Sequence, residues 1–171
     1  MRYSEINAKA EETAYSIYRN IGSEMPSIFE LLRWLEETFG KKIRITMGGE
    51  KHFSRFLGLE YFDPEVDAYR VWIKADDYAL RQNFTLAHEL AHIVRNSQIA
   101  FGFSDGDIDS LDGEERYCNR FAAAFLMPRD LFIKKWKAIS DDITFKKLRM
   151  VSFFKVSGEA VYHRANELGL I

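Results

Sequence analysis

Two histidines four residues apart flank a glutamate in the run His88-Glu89-Leu90-Ala91-His92. On a helix, residues i and i+4 share one face, with Cβ atoms about 5–6 Å apart. Two imidazoles so placed can converge on one tetrahedral ion. Glu89, next to the first ring, points beside that ion, where it can take a proton from water. The same spacing also arises when helix histidines merely hydrogen-bond to nearby groups. Two features weigh against that reading. Half of the chain's four histidines sit in this one run. The surrounding stretch is also too apolar to hide polar rings without strong partners. A catalytic zinc takes three protein ligands and keeps its fourth position for water. Glu115, 23 residues after His92 and near the start of the next helix, is the first candidate for the third ligand. Glu114 is the second, since either carboxylate would also simply favour a helix N-terminus.

Periodicity indicates the elements that must position these residues. Residues 4–21 and a run opening near Pro26 and closing at Gly40 carry apolar side chains at helical spacing. Ile43, Ile45 and Met47 then alternate with polar residues, as do Tyr69, Val71 and Ile73, which predicts two strands. Gly58 and Pro64 interrupt the stretch between them. Residues 78–96 form a helix apolar on most sides, hence a buried one, with a stripe of Leu80, Phe84, Ala87, Ala91 and Val94. A loop rich in Asp, Gly and Ser over 97–113 precedes a helix over 114–127, closed by Pro128. Short helices are expected over 129–138, 142–153 and 158–168. The fold class is therefore α+β: mostly helical, with a small sheet preceding the active-site helix and a helical segment at the C-terminal end. One domain over 1–171 is expected, with residues 129–171 as a helix-turn-helix-like subdomain.

A helix bearing Glu115 and, four residues on, Asn119 after a His-Glu-x-x-His helix resembles the thermolysin-like gluzincin arrangement. That resemblance implies zinc ligation by His88, His92 and Glu115. It also implies a hydrogen bond from one zinc histidine to Asn119, which would fix the ring's tautomer and orientation.

A more particular likeness follows. Arg81-Gln82-Asn83-Phe84-Thr85-Leu86-Ala87-His88-Glu89-Leu90-Ala91-His92 resembles the signature of the ImmA/IrrE metallopeptidase family. So does Glu115-Arg116-Tyr117-Cys118-Asn119-Arg120-Phe121-Ala122-Ala123-Ala124-Phe125-Leu126-Met127-Pro128. Near the end, Phe154-Lys155-Val156-Ser157, Ala160-Val161, Arg164 and Leu168-Gly169-Leu170-Ile171 match a third family segment. The likeness covers about 68–171. It implies a zincin-like fold, one Zn2+ per chain, and a cytoplasmic protein acting on a specific partner. The partner the resemblance implies is a helix-turn-helix repressor encoded nearby, belonging to a mobile element, a prophage or a stress or toxin–antitoxin-like module. Many members carry a helix-turn-helix domain ahead of the peptidase; residues 1–67 are too few and too mixed in period for it. Cys118 stands where alanine is usual, and Tyr117 where an acidic residue is common. At i+3 from Glu115, the Cys118 sulfur has two readings, a metal approach or a small buried hydrophobe.

As a mechanism, Glu89 would take the proton of an activated water and pass it to the leaving amine. His52, His163 and Tyr117 are candidates for stabilising the oxyanion. Strand 69–74, read as the sheet edge before the active-site helix, is expected to pair with an extended substrate.

Two other functions stay open. One is a regulator that carries zinc without catalysis and binds a repressor or toxin by contact. The other is DNA binding through residues 142–168, with Leu148, Val151, Phe154, Val156, Ala160 and Val161 as a small core. Lys146, Lys147, Arg149, Lys155 and Arg164 would then face phosphates. Charge weighs against nucleic acid as the main partner. The net charge is -2, with 15 Lys/Arg against 21 Asp/Glu over 1–128 and 9 against 5 over 129–171. The single cysteine excludes a disulfide within the chain. No apolar leader or run of about 20 apolar residues is seen, so the expectation is a cytoplasmic location without a membrane partner.

Overall fold

The computed structural model of the chain describes residues 3–25, 27–49, 58–96, 111–140 and 142–171. Helix α1, Tyr3–Ile21, buries Ile6, Ala10, Ala14 and Ile17 along one face. Helix α2, Ile28–Phe39, is opened by a capping box. Ser27 Oγ accepts from Glu30 N, and the Glu30 carboxylate accepts from Ser27 N. The helix thus starts after Ser27; Pro26 lies outside the described residues. Gly40, at φ 62°, closes it in the left-handed conformation that glycine adopts without strain.

Three strands follow: β1, Lys42–Gly48; β2, Gly58–Asp63; and β3, Ala68–Lys74. Their order is β1-β3-β2, with β1 parallel and β2 antiparallel to β3. This corrects one expectation. Strand 69–74 is the centre of the sheet, with both of its edges taken, and among the described residues β1 and β2 are the edge strands, β2 being the one beside His88 and His92. Val71 and Ile73 of β3 and Ile43 of β1 point into the core.

Helix α3, Ala79–Asn96, packs on β2 and β3 and against the helix that follows. It buries Ala87, Leu90, Ala91, Ile93 and Val94, as its sequence implies. That next helix, α4, spans Leu111–Leu126, three residues longer at its start than the sequence suggests. It is the axis of the core, carrying buried Tyr117, Cys118, Phe121, Ala122 and Phe125, and its most extensive contacts are with α1. Phe121 and Phe125 stack at 6.1 Å between centroids.

Helices α5, Arg129–Ala138, α6, Ile143–Phe154, and α7, Gly158–Glu167, complete the chain. Phe132 joins α5 to α6 by stacking on Phe154. Lys155, at φ 55°, turns the chain from α6 towards Ser157, which caps α7. Leu148, expected in a local core, points outward at 65% exposure, and Met150 takes the buried position. Arg164 is fully buried. Its guanidinium donates to Met127 O and pairs with Glu11 of α1, which also meets Arg120 of α4 at 2.9 Å. Arg120 and Arg164 both pair with Glu167. The N-terminal helix is thereby tied to α4 and α7 by buried charge. Among the described residues, no helix is long and apolar enough to cross a membrane.

Candidate metal centre

The helix register turns His88 and His92 of α3 towards α4, and Glu115 of α4 meets them. The two Nε2 atoms are 3.2 Å apart. Glu115 Oε2 lies 3.2 Å from His88 Nε2, and Glu115 Oε1 lies 3.4 Å from His92 Nε2. Ligands at about 2.0–2.1 Å from a tetrahedral zinc stand about 3.3–3.4 Å from one another, so these spacings suit such an ion.

The outer ring nitrogens are fixed as well. His88 Nδ1 is 3.0 Å from Asn119 Oδ1, and His92 Nδ1 is 2.9 Å from Glu114 Oε1. Each acceptor calls for a hydrogen on Nδ1. In a neutral ring that leaves a lone pair on Nε2. Two such lone pairs and a carboxylate face one another across about 3 Å, a repulsive arrangement that a cation between them reverses. Burial and the neighbouring His92 lower the His88 pKa, which favours the neutral form that ligates metals. The donor set therefore fits a divalent ion.

Of the two tandem carboxylates, Glu115 faces the gap and Glu114 turns to the back of His92. There it also pairs with Arg95 at 2.9 Å. Cys118 points instead into the core, fully buried. Withdrawal from water, with Glu114 and Glu115 nearby, pushes its thiol well above the ordinary range. Among the described residues, the metal-capable group is His88, His92 and Glu115.

Glu89 is 6% exposed, an acid held in an apolar helix. Burial, then the charges of Glu115 and Glu60, push its carboxyl up to about 8. It borders a cleft of about 590 Å3 whose other wall is β2. Gly58 lies against it. A β-carbon there would overlap Glu89 Oε1 and fall 2.8 Å from both Glu89 Cγ and Thr85 Cγ2. Glu60, two residues along β2, lines the same cleft. The sequence marks Gly58 only as an interruption and does not single out Glu60, because both lie about 30 positions before the histidines, on a strand without clear alternation. Their only local signal is a glycine followed two residues later by a glutamate.

A second cavity, about 690 Å3, adjoins the cleft and shares Arg81, Phe84, Glu115 and Asn119 with it. His163 lines it, exposed and 3.8 Å from Glu159. Tyr117 is fully buried among core aromatics, so it does not reach a substrate as an oxyanion partner. His52 lies outside the described residues.

A family model described as the IrrE N-terminal-like domain, Peptidase_M78, matches residues 38–166. A solved structure of a Mycobacterium tuberculosis transcriptional regulator is similar at a TM-score of 0.60 and 19% identity. The match covers 96% of this chain and 51% of that one, so the chain spans about half of that neighbour's length. This likeness shows the fold. Among curated proteins none matches. A small sheet laid against a buried His-Glu-x-x-His helix, matched over three quarters of its length by one family model, marks the chain as a member of the IrrE N-terminal-like domain family, with an α+β, zincin-like fold.

Proposed function

We propose that the chain is a zinc-dependent endopeptidase that cleaves one protein partner, a helix-turn-helix repressor of a mobile element, prophage, stress or toxin–antitoxin-like module. The observation that carries the reading is the meeting of two Nε2 atoms and the Glu115 carboxylate beside Glu89 in an open cleft. His88, His92 and Glu115 would hold the ion. Bound there, zinc would polarise a peptide carbonyl and acidify a water. Asn119 and Glu114 hold the rings by their Nδ1 hydrogens. Glu89 accepts the water's proton and passes it to the leaving amine. Burial raises the Glu89 carboxyl in the metal-free chain, and a cation held beside it would draw it back down into the range of a base. The substrate segment pairs with the edge of β2, the strand that takes the role first expected of 69–74. The choice of a repressor rests on the family resemblance.

About one zinc per chain, lost in His92→Ala and Glu115→Gln, is the first expected result. Cleavage of a repressor by the wild-type chain, abolished in Glu89→Gln with its zinc retained, is the second. Undiminished turnover by Glu89→Gln would sink the role given to that residue.

A second reading, a regulator that acts by contact alone, draws on Ile143, Phe145 and Leu148, large apolar side chains exposed on α6. Glu89→Gln separates the two, since contact survives it. DNA binding through 142–168 is weakened by burial of two of its five cations. Arg164 is enclosed in ion pairs, and Lys146 lies over the Trp136 ring.

A further inference from the structure

We propose that Glu60 forms a subsite for a cationic group of the bound peptide, an ammonium or guanidinium held beside the edge strand. The proposal rests on the peptidase reading and names a chemical class for what the cleft accepts. In the antiparallel ladder Glu60 stands opposite Val71, whose side chain is fully buried. Residues directly opposite point to the same face of a sheet, so the Glu60 side chain turns towards α3 and the cleft. Leu59 and Tyr61 point to the other face, where they are exposed.

Gly58 sets the position along α3. Its backbone touches Thr85 and Glu89. Two strand residues further on is about 6.8 Å. From Glu89 to His92 is about 4.5 Å of helix rise. Glu60 is thus placed near enough to His92 and Glu114 for their charges to act on it, and near enough to Glu89 for its own charge to act there.

The other carboxylates of the cleft are engaged. Glu115 faces both imidazoles, Glu114 joins His92 to Arg95, and Glu89 has the base's role proposed above. Among the described residues, Glu60 makes no side-chain hydrogen bond or ion pair, yet it is largely withdrawn from water, which raises its pKa. A carboxylate so placed is costly until a cation joins it. Arg81, the cation lining the cleft, is held by Asp77 at 3.0 Å and stands 11 residues before His92 on α3, at the far end. A segment paired with the β2 edge sends alternate side chains to the α3 side. One of them, or the segment's terminal amine, comes to Glu60.

The test uses Glu89→Gln chain incubated with zinc, so that peptide binds without being cut. The probes are degenerate hexapeptide pools with one position fixed as Lys, Arg, norleucine or Glu, each with a free or an acetylated N-terminus. Lys and Arg pools should bind about tenfold tighter than norleucine, the scale of one partly desolvated charge pair. The preference should vanish in Glu89→Gln/Glu60→Gln and turn towards the Glu pool in Glu89→Gln/Glu60→Lys. Weaker binding on acetylation of every pool identifies the terminal amine as the cation; indifference to acetylation identifies a side chain. Equal binding of Lys and norleucine pools with no effect of acetylation, or a preference that survives Glu60→Gln, overturns the proposal. Zinc content and wild-type turnover are read alongside. Charge preference without zinc or turnover sinks the peptidase reading alone, and zinc and turnover without charge preference sink the Glu60 subsite alone.

Discussion

The backbone of Gly58 rests on the side chain of Glu89, leaving no room for a β-carbon between edge strand and helix. A Gly58→Ala change must move the carboxylate or the strand. A misplacement of about 1 Å costs on the order of 100-fold in rate, so turnover should fall by about that factor. Zinc content should stay as in the wild type, because no proposed ligand is touched. Rate and metal content measured on one preparation check both halves.

Asn119 and Glu114 reach the proposed metal only through the imidazoles they hold. Asn119→Ala and Glu114→Gln should each weaken zinc by about 10–100-fold, the usual effect of removing such a partner. Competition with a chelator measures it. Glu115→Gln, a change in a proposed ligand itself, should cost more than either.

In the zinc-free protein, the raised Glu89 pKa predicts a sign for the pH dependence of stability. Below its ordinary value of 4.5 the carboxyl is protonated in the folded and the unfolded chain alike. Between 4.5 and about 8 the folded chain keeps a proton that the unfolded chain has released, so stability falls as pH rises through that window. Urea titrations of chelator-treated protein at pH 5 and pH 8 should show this loss. In Glu89→Gln the loss should shrink, and at pH 8 the variant should be the more stable of the two.

Arg164→Met would leave Glu11 and Glu167 facing Arg120 alone. The acids left behind are partly exposed and keep Arg120, so a loss on the order of 2 kcal/mol, the scale of hydrogen bonds to charged groups, is expected in urea unfolding. The paired change Glu11→Gln with Arg164→Met should cost less than the two single changes added together, since the charges fail as a unit. Strict additivity would mean that the network does not couple α1 to α7.

The helices were legible because their apolar spacing answers directly to burial. The buried face of α3 and the pairing of Glu115 with Asn119 at i+4 both follow from sequence. Strand β2 was not legible, for a reason rooted in its position. Its inward residues are Gly58 and Glu60 and its outward ones Leu59 and Tyr61. The usual polarity of a half-buried strand is inverted, because this strand lines a cleft rather than a core. The central place of β3 was hidden too. It pairs directly and in parallel with β1, from which β2 separates it in sequence, and alternation within a strand carries no information about its neighbours. The tandem Glu114 and Glu115 were both visible as candidates. Only the register of α4 separates the one behind His92 from the one between the rings.

Asn119 and the Glu114–Arg95 pair hold the two imidazoles in place through contacts made by the protein alone, on helices joined by an aromatic core. If the proposed zinc binds here, these contacts predict that the imidazoles keep their places when it is removed, unlike small zinc modules in which the ion drives folding. On the proposed reading, a cell short of zinc would hold a folded, idle protein. Renewed supply would then switch the proposed activity on without new synthesis, making metal availability its throttle.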